Sequence, residues 1–373
     1  MKIPLCIPSI DENDISSVVD TLKSGWLAHG PKVNEFQSFF SSYIGTKHAI
    51  PVNSWTSGAH LIIQALGIKG EIIIPSFSFV ATANVCVTAG AKPVFCDIDY
   101  ETCTINPDEI DKLITKKTEA IMPVHYAGQT ANMKAISKIA ERNDLHIIED
   151  SAECIGGTYD GKKAGSFDIG CFSFYPVKNI ATGEGGMVTT NDDVFAEKIR
   201  ILSAHGITNT AFSRLSNQEP WEREAIMAGY NFRMCDINAA LGVTQMKKLD
   251  YMNEQRRIHA SYLTKSLNEI EGIIPPVEAE NCLHVYQMYT IKVERVDRSK
   301  FIHMLREFGV GASVHFDPPI HLQPAYKGKG GELPVTEKVA QSIVTLPMYP
   351  DLTQKQLDYI IKNVENCAKA CRK

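Results

Sequence analysis

The sequence lacks the features that mark membrane proteins, nucleic-acid-binding proteins and zinc proteins. No apolar run in its 373 residues reaches membrane-spanning length, and the first residues contain no hydrophobic segment of a signal peptide. A net charge of −5 provides no basic surface for nucleic acid. Cys367 and Cys371 have the spacing of a ligand pair, but neither a second pair nor a histidine lies near them in sequence. These absences predict a cytoplasmic protein with no metal and no membrane or nucleic-acid partner.

Motifs of nucleotide-dependent and metal-dependent enzymes are also missing. There is no Walker A loop, no H-E-x-x-H pair and no G-x-G-x-x-G after a strand. The ten cysteines form no disulfide framework, so we interpret them as small buried apolar groups in a reducing compartment, with a functional thiol as the lesser alternative. What is present is the composition of an ordinary globular protein, with 44% hydrophobic and 22% charged residues. The length allows one large and one smaller domain.

Short apolar strands alternate with amphipathic helices, which is typical of an α/β fold with a mostly parallel sheet in one large domain. We predict strands at 71–75, 94–97, 119–125, 144–150 and 187–190, and helices at 11–24, 31–43, 108–114, 134–142, 195–205, 236–249, 255–267, 299–308 and 353–367. In the first helix, apolar side chains recur at helical spacing at Ile15, Val18, Val19 and Leu22. The polar stretch 206–224 is predicted to be a functional or mobile loop.

One lysine stands out in the stretch from Cys171 to Val188. Lys178 follows an apolar strand and a turn at Pro176, and a glycine-rich loop leads from it into a second apolar strand. A lysine between two buried strands is expensive to desolvate unless it is paired or covalently bound. Such lysines can act as amine nucleophiles toward carbonyl groups. The alternative is a lysine that reaches the surface from a strand end. On this stretch alone the two interpretations have equal weight.

A second stretch upstream favours the first interpretation. The strand at 144–150 ends in the paired carboxylates Glu149 and Asp150, and Ser151-Ala-Glu153 follows. In an open α/β sheet, ligands bind beyond the carboxyl ends of the strands, so Asp150 lies where a cofactor would bind. A lysine that binds the cofactor covalently, with an acid at the pyridine nitrogen, is the pairing that pyridoxal 5′-phosphate (PLP) requires. The sequence therefore favours a PLP enzyme.

Seven stretches, in order along nearly the whole chain, resemble the DegT/DnrJ/EryC1/StrS family of PLP-dependent sugar aminotransferases. They lie at residues 24–31, 74–84, 93–99, 148–153, 172–186, 229–234 and 346–350. The resemblance implies the aspartate aminotransferase fold (fold type I), with a mostly parallel sheet of the seven-stranded type. We assign residues 1–250 to the large PLP-binding domain and residues 251–373 to a smaller α/β domain.

The resemblance also implies how the cofactor is held. Lys178 would bind PLP covalently and Asp150 would pair with its pyridine nitrogen. Phe79 would stack on the face of the ring, and Glu153 would lie near the phenolic oxygen. Taken alone, Phe79 could be an ordinary core residue and Glu153 a solvated turn carboxylate.

For the phosphate group, the resemblance implies two sets of contacts. Thr56 and Ser57, at the start of an apolar helix, and Ser173 would bind it from the same chain. Asn231 would reach the phosphate of the neighbouring subunit in a homodimer. From the residues alone, Ser54 or Thr56 could be a plain helix cap, and Asn231 is better interpreted as a turn residue.

The sequence departs from the family at two places. Trp55 stands where a glycine is usual, and the loop at 166–170 is one residue short. His29 lies in a loop that the family places over the active site, so substrate contact there is a hypothesis. His315 and His321 are loop histidines that we leave outside the site.

The reaction implied by the resemblance has two halves. L-glutamate donates its amino group through pyridoxamine phosphate (PMP), and a keto sugar accepts it. The acceptor would be a nucleotide-linked 4-keto-6-deoxy or 3-keto hexose in polysaccharide or glycan precursor biosynthesis. A small phosphorylated or free ketone is the alternative acceptor. A non-catalytic PLP-binding regulator and a nucleotide-sugar oxidoreductase are the alternatives from other classes, although the missing glycine fingerprint disfavours the oxidoreductase.

Overall fold

The computed structural model describes residues 1–208, 221 and 224–373, so most of the loop predicted at 206–224 lies outside the described residues. The strands are β1 (His48–Val52), β2 (Glu71–Pro75), β3 (Lys92–Cys96), β4 (Thr118–Ile121), β5 (His146–Asp150), β6 (Thr158–Tyr159), β7 (Lys162–Lys163), β8 (Ile169–Ser173), β9 (Gly186–Thr190), β10 (Ile273–Ile274), β11 (Cys282–Leu283), β12 (Tyr289–Val293) and β13 (Ile343–Leu346). The helices are α1 (Glu12–Ser24), α2 (Pro31–Ile44), α3 (Trp55–Leu66), α4 (Ala81–Thr88), α5 (Pro107–Leu113), α6 (Met133–Asn143), α7 (Asp193–Ser203), α8 (Asp236–Lys247), α9 (Leu249–Leu267), α10 (Arg298–Glu307), α11 (Pro334–Ser342) and α12 (Gln354–Ala370).

A seven-stranded sheet in the order β1-β9-β8-β5-β4-β2-β3 forms the centre of the described structure. The strands β8, β5, β4, β2 and β3 run parallel to one another, while β9 is antiparallel to both β8 and β1. The predicted fold, an α/β protein with a mostly parallel central sheet, is therefore confirmed. Because β5 and β8 are parallel neighbours, their carboxyl ends and the loops that follow lie at the same edge.

Of the hydrophobic clusters among the described residues, the two largest lie on the central sheet and in the C-terminal part of the chain. The first packs α3, α4 and α7 against the central strands, and the second surrounds the antiparallel sheet β10-β12-β13. Ile3 belongs to the second cluster, and its backbone N–H donates to the Gly309 carbonyl at 2.8 Å. The first residues thus pack on the C-terminal part of the chain, while the domain boundary at residue 250 stays a prediction.

Helix α1 turns its apolar stripe outward. Ile15 is 48% exposed and Leu22 is 51% exposed, whereas Asp14 and Thr21 are buried. The reason is the neighbouring helix α8, because the Asp14 carboxylate accepts hydrogen bonds from its polar side chains, including Gln245. Helical periodicity identifies an amphipathic helix, but here the polar face is the one that packs against the protein.

Asp236 caps a helix other than its own. The sequence predicts it as the N-cap of the helix at 236–249, but it is the first residue of α8 and Cys235 occupies the cap position. The Asp236 carboxylate instead accepts backbone N–H groups of Gly30, Lys32 and Val33 at the start of α2, at 2.9, 3.2 and 2.9 Å. This buried carboxylate therefore satisfies donors that no preceding turn of α2 can satisfy.

We expect the substitution Asp236→Ala to lower the free energy of unfolding by roughly 2–4 kcal/mol, because three N–H groups, of Gly30, Lys32 and Val33, lose a charged acceptor in a largely buried place. Asp192→Ala is the matched control, since Asp192 caps α7 through one bond to the Phe195 N–H, at 2.9 Å, and is exposed. For it we expect about 1 kcal/mol. Urea unfolding of the two variants measures the difference, and equal losses would contradict this account of Asp236.

None of the helices in the described part of the chain has the length and hydropathy needed to span a bilayer. The same residues contain no group of three or more His, Cys, Asp or Glu side chains placed to bind a metal ion.

Candidate active site

A cavity of about 540 Å³ opens beyond the carboxyl ends of β5 and β8. Asp150, the last residue of β5, and Ser173, the last residue of β8, both line it. Lys178 reaches the same cavity from the loop after β8. Two other depressions, of about 750 Å³ beside α9 and about 550 Å³ between α1 and α8, contain none of these three residues. Size alone therefore does not select the candidate site, but the position at the strand ends does.

Most of the residues predicted for the site meet in this cavity. Those that line it are Thr56, Phe79, Asp150, Glu153, Ser173 and Lys178. Ser57 is not among the described lining residues, and its hydroxyl is bonded to the Ser54 hydroxyl at 3.0 Å within the first turn of α3. Asn231 is exposed and also lies outside this set, so its predicted contact with a neighbouring subunit stays a prediction.

Lys178 points into the cavity instead of reaching bulk solvent. Its side chain is 16% exposed, and its Nζ lies 3.0 Å from Glu153 Oε1. The backbone N–H of Lys178 donates to the Tyr175 carbonyl at 2.9 Å, which closes the turn after β8. Of the two interpretations that the sequence left open, the geometry favours the paired lysine.

Glu153 is held from both sides. Its Oε2 accepts the backbone N–H of Ala127 at 2.9 Å, and its Oε1 is paired with Lys178. The side chain is buried, so the alternative of a solvated turn carboxylate does not describe it. Because both residues line the cavity, the ion pair holds the lysine amine there.

Asp150 is a buried carboxylate without a direct cationic partner among the described residues. It is 5% exposed; its Oδ1 accepts the Ala152 N–H at 3.2 Å and its Oδ2 accepts the Thr82 hydroxyl at 3.1 Å. Burial raises the pKa of Asp150 to about 6, although the Ala152 N–H and the Lys178 charge oppose that rise. A buried carboxylate of this kind is well suited to receive a protonated ring nitrogen.

The start of α3 forms another wall of the cavity. Ser54 caps the helix by accepting the Ser57 N–H at 3.1 Å, and Thr56 lines the cavity one residue further along. The same turn therefore both caps the helix, through Ser54, and lines the cavity, through Thr56. A helix N-terminus with free N–H groups favours an anion such as a phosphate.

Trp55 does not disturb this turn, although a glycine is usual there in the family. It is the first residue of α3, and its buried side chain packs in the hydrophobic cluster on the central sheet. Gly186 accommodates the close approach on the other side, because a Cβ atom at that position would lie 2.7 Å from the Trp55 backbone nitrogen. The short loop at 166–170 is anchored similarly, with the Gly165 and Phe167 N–H groups donating to the buried Glu149 carboxylate at 2.8 and 2.7 Å.

Phe79 is a large apolar ring left exposed at the cavity. It is 62% exposed, and its ring centroid lies 6.4 Å from that of Phe316. An ordinary core phenylalanine would be buried, so this exposure is consistent with a ring that stacks on a ligand.

His315, which was predicted to lie outside the site, lines the cavity, so that prediction is corrected. Its Nδ1 lies 2.8 Å from the Thr345 hydroxyl, and burial lowers its pKa. Only the tertiary fold brings this residue from the C-terminal part of the chain to Lys178. His321 bonds to Ser76 instead and stays outside the described lining, as does His29.

The residues of the cavity fit PLP. The buried Asp150 carboxylate has no direct cationic partner among the described residues, the exposed Phe79 ring offers a stacking surface, and the turn at Thr56 offers hydroxyl and N–H groups for a phosphate. Lys178 supplies the amine that covalent attachment requires. No donor set of this kind is needed for a nicotinamide cofactor.

Comparisons with known proteins agree with this geometry. The model of the DegT/DnrJ/EryC1/StrS aminotransferase family matches residues 8–365. The spore coat polysaccharide biosynthesis protein SpsC of Bacillus subtilis is 38% identical over 379 residues, which cover 98% of this chain and 97% of that protein.

Two solved structures are similar over almost their whole length. Spr1654 of Streptococcus pneumoniae in its PMP form has a TM-score of 0.93 and 30% identity, covering 99% of this chain and 100% of the other. PseC of Helicobacter pylori, an aminotransferase involved in the biosynthesis of pseudoaminic acid, has a TM-score of 0.93 and 27% identity, with the same coverage. With a family match over nearly the whole chain and a cavity that fits the cofactor, this chain belongs to the DegT/DnrJ/EryC1/StrS aminotransferase family and is a PLP-dependent aminotransferase.

Proposed function

We propose that this aminotransferase moves the amino group of L-glutamate to a nucleotide-linked keto sugar, a 4-keto-6-deoxy or 3-keto hexose, in glycan precursor biosynthesis. The observation that carries the proposal is the convergence of Lys178, Glu153 and Asp150 in one cavity, with the lysine amine 3.0 Å from Glu153. The volume of about 540 Å³ is within the usual range of small-molecule sites and leaves room for a substrate beside the cofactor.

Each residue of the cavity has a proposed role. Lys178 would hold the cofactor and, once released as a free amine, would move the proton from the substrate Cα to the aldehyde carbon of the cofactor. Asp150 holds a proton on the pyridine nitrogen, and Glu153 orients the lysine amine and shares a proton with the phenolic oxygen. PLP, when bound, supplies the electron sink for the bond that breaks at Cα. Thr56 and Ser173 bind the phosphate.

We further propose that the enzyme acts in the cytoplasm as a homodimer in which Asn231 of one subunit reaches the phosphate site of the other. What supports this is that Asn231 is exposed and outside the described lining of its own cavity. Lys178 is also the only Lys or Arg among the described lining residues, which leaves a phosphate with few partners within one subunit.

The first experiment is an absorbance spectrum of the PLP-loaded protein before and after addition of L-glutamate. We expect the visible band of lysine-bound PLP to decay to the spectrum of PMP, because Lys178 can release the cofactor and move the Cα proton. D-glutamate is the control. A protein that binds PLP and does not respond to L-glutamate or other amino donors would support the regulator instead, and one that takes up no PLP would contradict the proposal.

The acceptor is tested on the PMP-loaded protein. Nucleotide-linked keto hexoses should restore the visible band, and dihydroxyacetone phosphate and free ketones serve as the competing class. If only the small ketones restore the visible band, the acceptor is a small phosphorylated or free ketone and the keto-sugar proposal is wrong.

A further inference from the structure

Two buried hydroxyl groups form a chain that ends on Asp150. Ser78 and Thr82 are both almost fully buried, and their hydroxyl oxygens lie 2.8 Å apart. The Thr82 hydroxyl lies 3.1 Å from Asp150 Oδ2 and donates to it, since a carboxylate can only accept. Thr82 has a single hydroxyl proton, so Ser78 is the donor in the bond between the two hydroxyls. The chain therefore has one direction, from Ser78 through Thr82 to the carboxylate.

Neither hydroxyl is used to cap α4, the helix that contains Thr82 and follows Ser78. Serine and threonine at a helix start commonly bond to free backbone N–H groups. In α4 the cap position is Val80, which provides no such bond, and Thr82 directs its hydroxyl to Asp150 instead. Among the described residues, Thr82 is the only side chain that donates a hydrogen bond to Asp150. The arrangement thus serves the carboxylate.

The same chain also holds the turn that presents Phe79. Ser78 and Thr82 stand on either side of it in sequence, and the Thr82 N–H donates to the Phe79 carbonyl at 3.1 Å. The Phe79 ring is 62% exposed, and among the described residues the one ring near it is that of Phe316, at 6.4 Å between centroids. With so little packing of its own, the ring depends on this turn for its position relative to Asp150.

We propose that Thr82, oriented by Ser78, is a positioning residue that holds Asp150 ionised and correctly oriented for the pyridine nitrogen of PLP, and that fixes Phe79 against the face of the same ring. The inference rests on the proposed role of Asp150. The inference goes beyond that role because it assigns to Ser78 and Thr82 the positioning of two cofactor contacts. These are Asp150, at the end of β5, and Phe79, in the turn before α4.

The charges around Asp150 determine how loss of the Thr82 hydroxyl changes the pKa of Asp150. Glu153 raises the pKa of Asp150, and the Lys178 charge and the Thr82 hydrogen bond lower it. Cys171, on the neighbouring strand, stays neutral because burial raises its pKa well above the usual value. Removing the Thr82 donor therefore raises the pKa of Asp150, and less of the carboxyl is ionised at neutral pH.

The test compares Thr82→Val, which keeps the shape and removes the hydroxyl, with Thr82→Ser, which keeps the hydroxyl, and with Ser78→Ala. The dissociation constant for PLP is measured between pH 5 and 8, together with the visible absorption of the bound cofactor. For Thr82→Val we expect binding weakened by about 10- to 100-fold at pH 7 and a pH dependence moved to higher pH. Thr82→Ser should bind nearly as wild type, and Ser78→Ala should lie between them.

Two results would overturn the inference. If Thr82→Val and Thr82→Ser lose affinity equally, with the same circular dichroism as wild type, the residue acts through packing. If Thr82→Val binds PLP with wild-type affinity and an unchanged pH dependence, the hydroxyl has no role. Asp150→Asn distinguishes failure of this inference from failure of the proposed role of Asp150. If Asp150→Asn weakens PLP binding and Thr82→Val does not, only the inference about Thr82 fails. If Asp150→Asn has no effect on PLP binding, the proposed role of Asp150 fails as well.

Discussion

The substitution Lys178→Ala should lower kcat by at least about 10³-fold, because it removes both the amine that binds the cofactor and the base that moves the Cα proton. A positioned general base alone contributes about 10²–10⁴-fold. The Lys178 Nζ lies in the cavity 3.0 Å from Glu153, and no second lysine is among the described lining residues to replace it. Initial rates with L-glutamate and a keto acceptor measure the effect, and turnover within tenfold of wild type would remove Lys178 from the mechanism.

The substitution Lys178→Arg distinguishes the positive charge of Lys178 from its function as a neutral amine. An arginine can keep the ion pair with Glu153 but stays protonated, so it supplies no neutral amine. We expect Lys178→Arg to be as inactive as Lys178→Ala. Lys163→Ala is the matched control, because Lys163 is also partly buried but packs on Tyr43, outside the described lining of the cavity. Loss of activity in this control comparable to that of Lys178→Arg would point to instability as the cause.

The part of the site that the sequence predicts is the part that local pattern determines. Asp150 ends an apolar strand, and Ser173 ends the next strand of the same parallel set. Parallel strands have their carboxyl ends at one edge of the sheet, so a strand-by-strand interpretation already places Asp150 where a cofactor would bind, whereas the role of Ser173 came from the family resemblance. The roles of Phe79 and Glu153 came from the family resemblance alone, since each also had an ordinary structural interpretation.

The residues that sequence reasoning missed depend on contacts between distant parts of the chain. His315 reaches the cavity from the C-terminal part, and Thr82 bonds to a carboxylate 68 positions away. Neither contact leaves a periodic or spacing signal in the sequence. The outward face of α1 has the same origin, because hydrophobic periodicity does not say whether the neighbouring helix offers apolar or polar partners. Asp236 likewise caps a helix about 200 residues earlier in the chain.

The substitution Asp150→Asn should have opposite effects on activity and on the stability of the cofactor-free protein. An asparagine has one acceptor oxygen, so it can accept the Ala152 N–H while its NH2 group donates to the Thr82 hydroxyl, but it cannot hold a proton on the pyridine nitrogen by charge. Removing one such electrostatic partner costs roughly 10²–10³-fold in kcat. We expect a loss of this size, together with weaker PLP binding, and activity close to wild type would contradict the proposed role.

The sign of the stability effect follows from the pKa of Asp150. Burial raises this pKa to about 6 in the folded protein, against about 3.9 in an unfolded chain. Between these values the folded state holds a proton that the unfolded state has released, so the cofactor-free protein loses stability as pH rises from about 4 to 6. A difference of about two units corresponds to roughly 3 kcal/mol. Asp150→Asn has no such titration and should not show this loss.

Urea unfolding of the cofactor-free proteins at pH 4.5 and pH 7 measures this difference. As the pH is raised, we expect the free energy of unfolding of Asp150→Asn to increase relative to that of wild type. At pH 7 the same variant should bind PLP much more weakly than wild type and turn over much more slowly. The wild-type advantage in PLP affinity should in turn decline as the pH falls below about 6, where Asp150 of the cofactor-free protein becomes protonated. If Asp150→Asn loses both stability and activity at pH 7, Asp150 is a structural residue. If the variant gains stability and loses activity, Asp150 is a carboxylate that is buried at a cost in stability because it binds the cofactor.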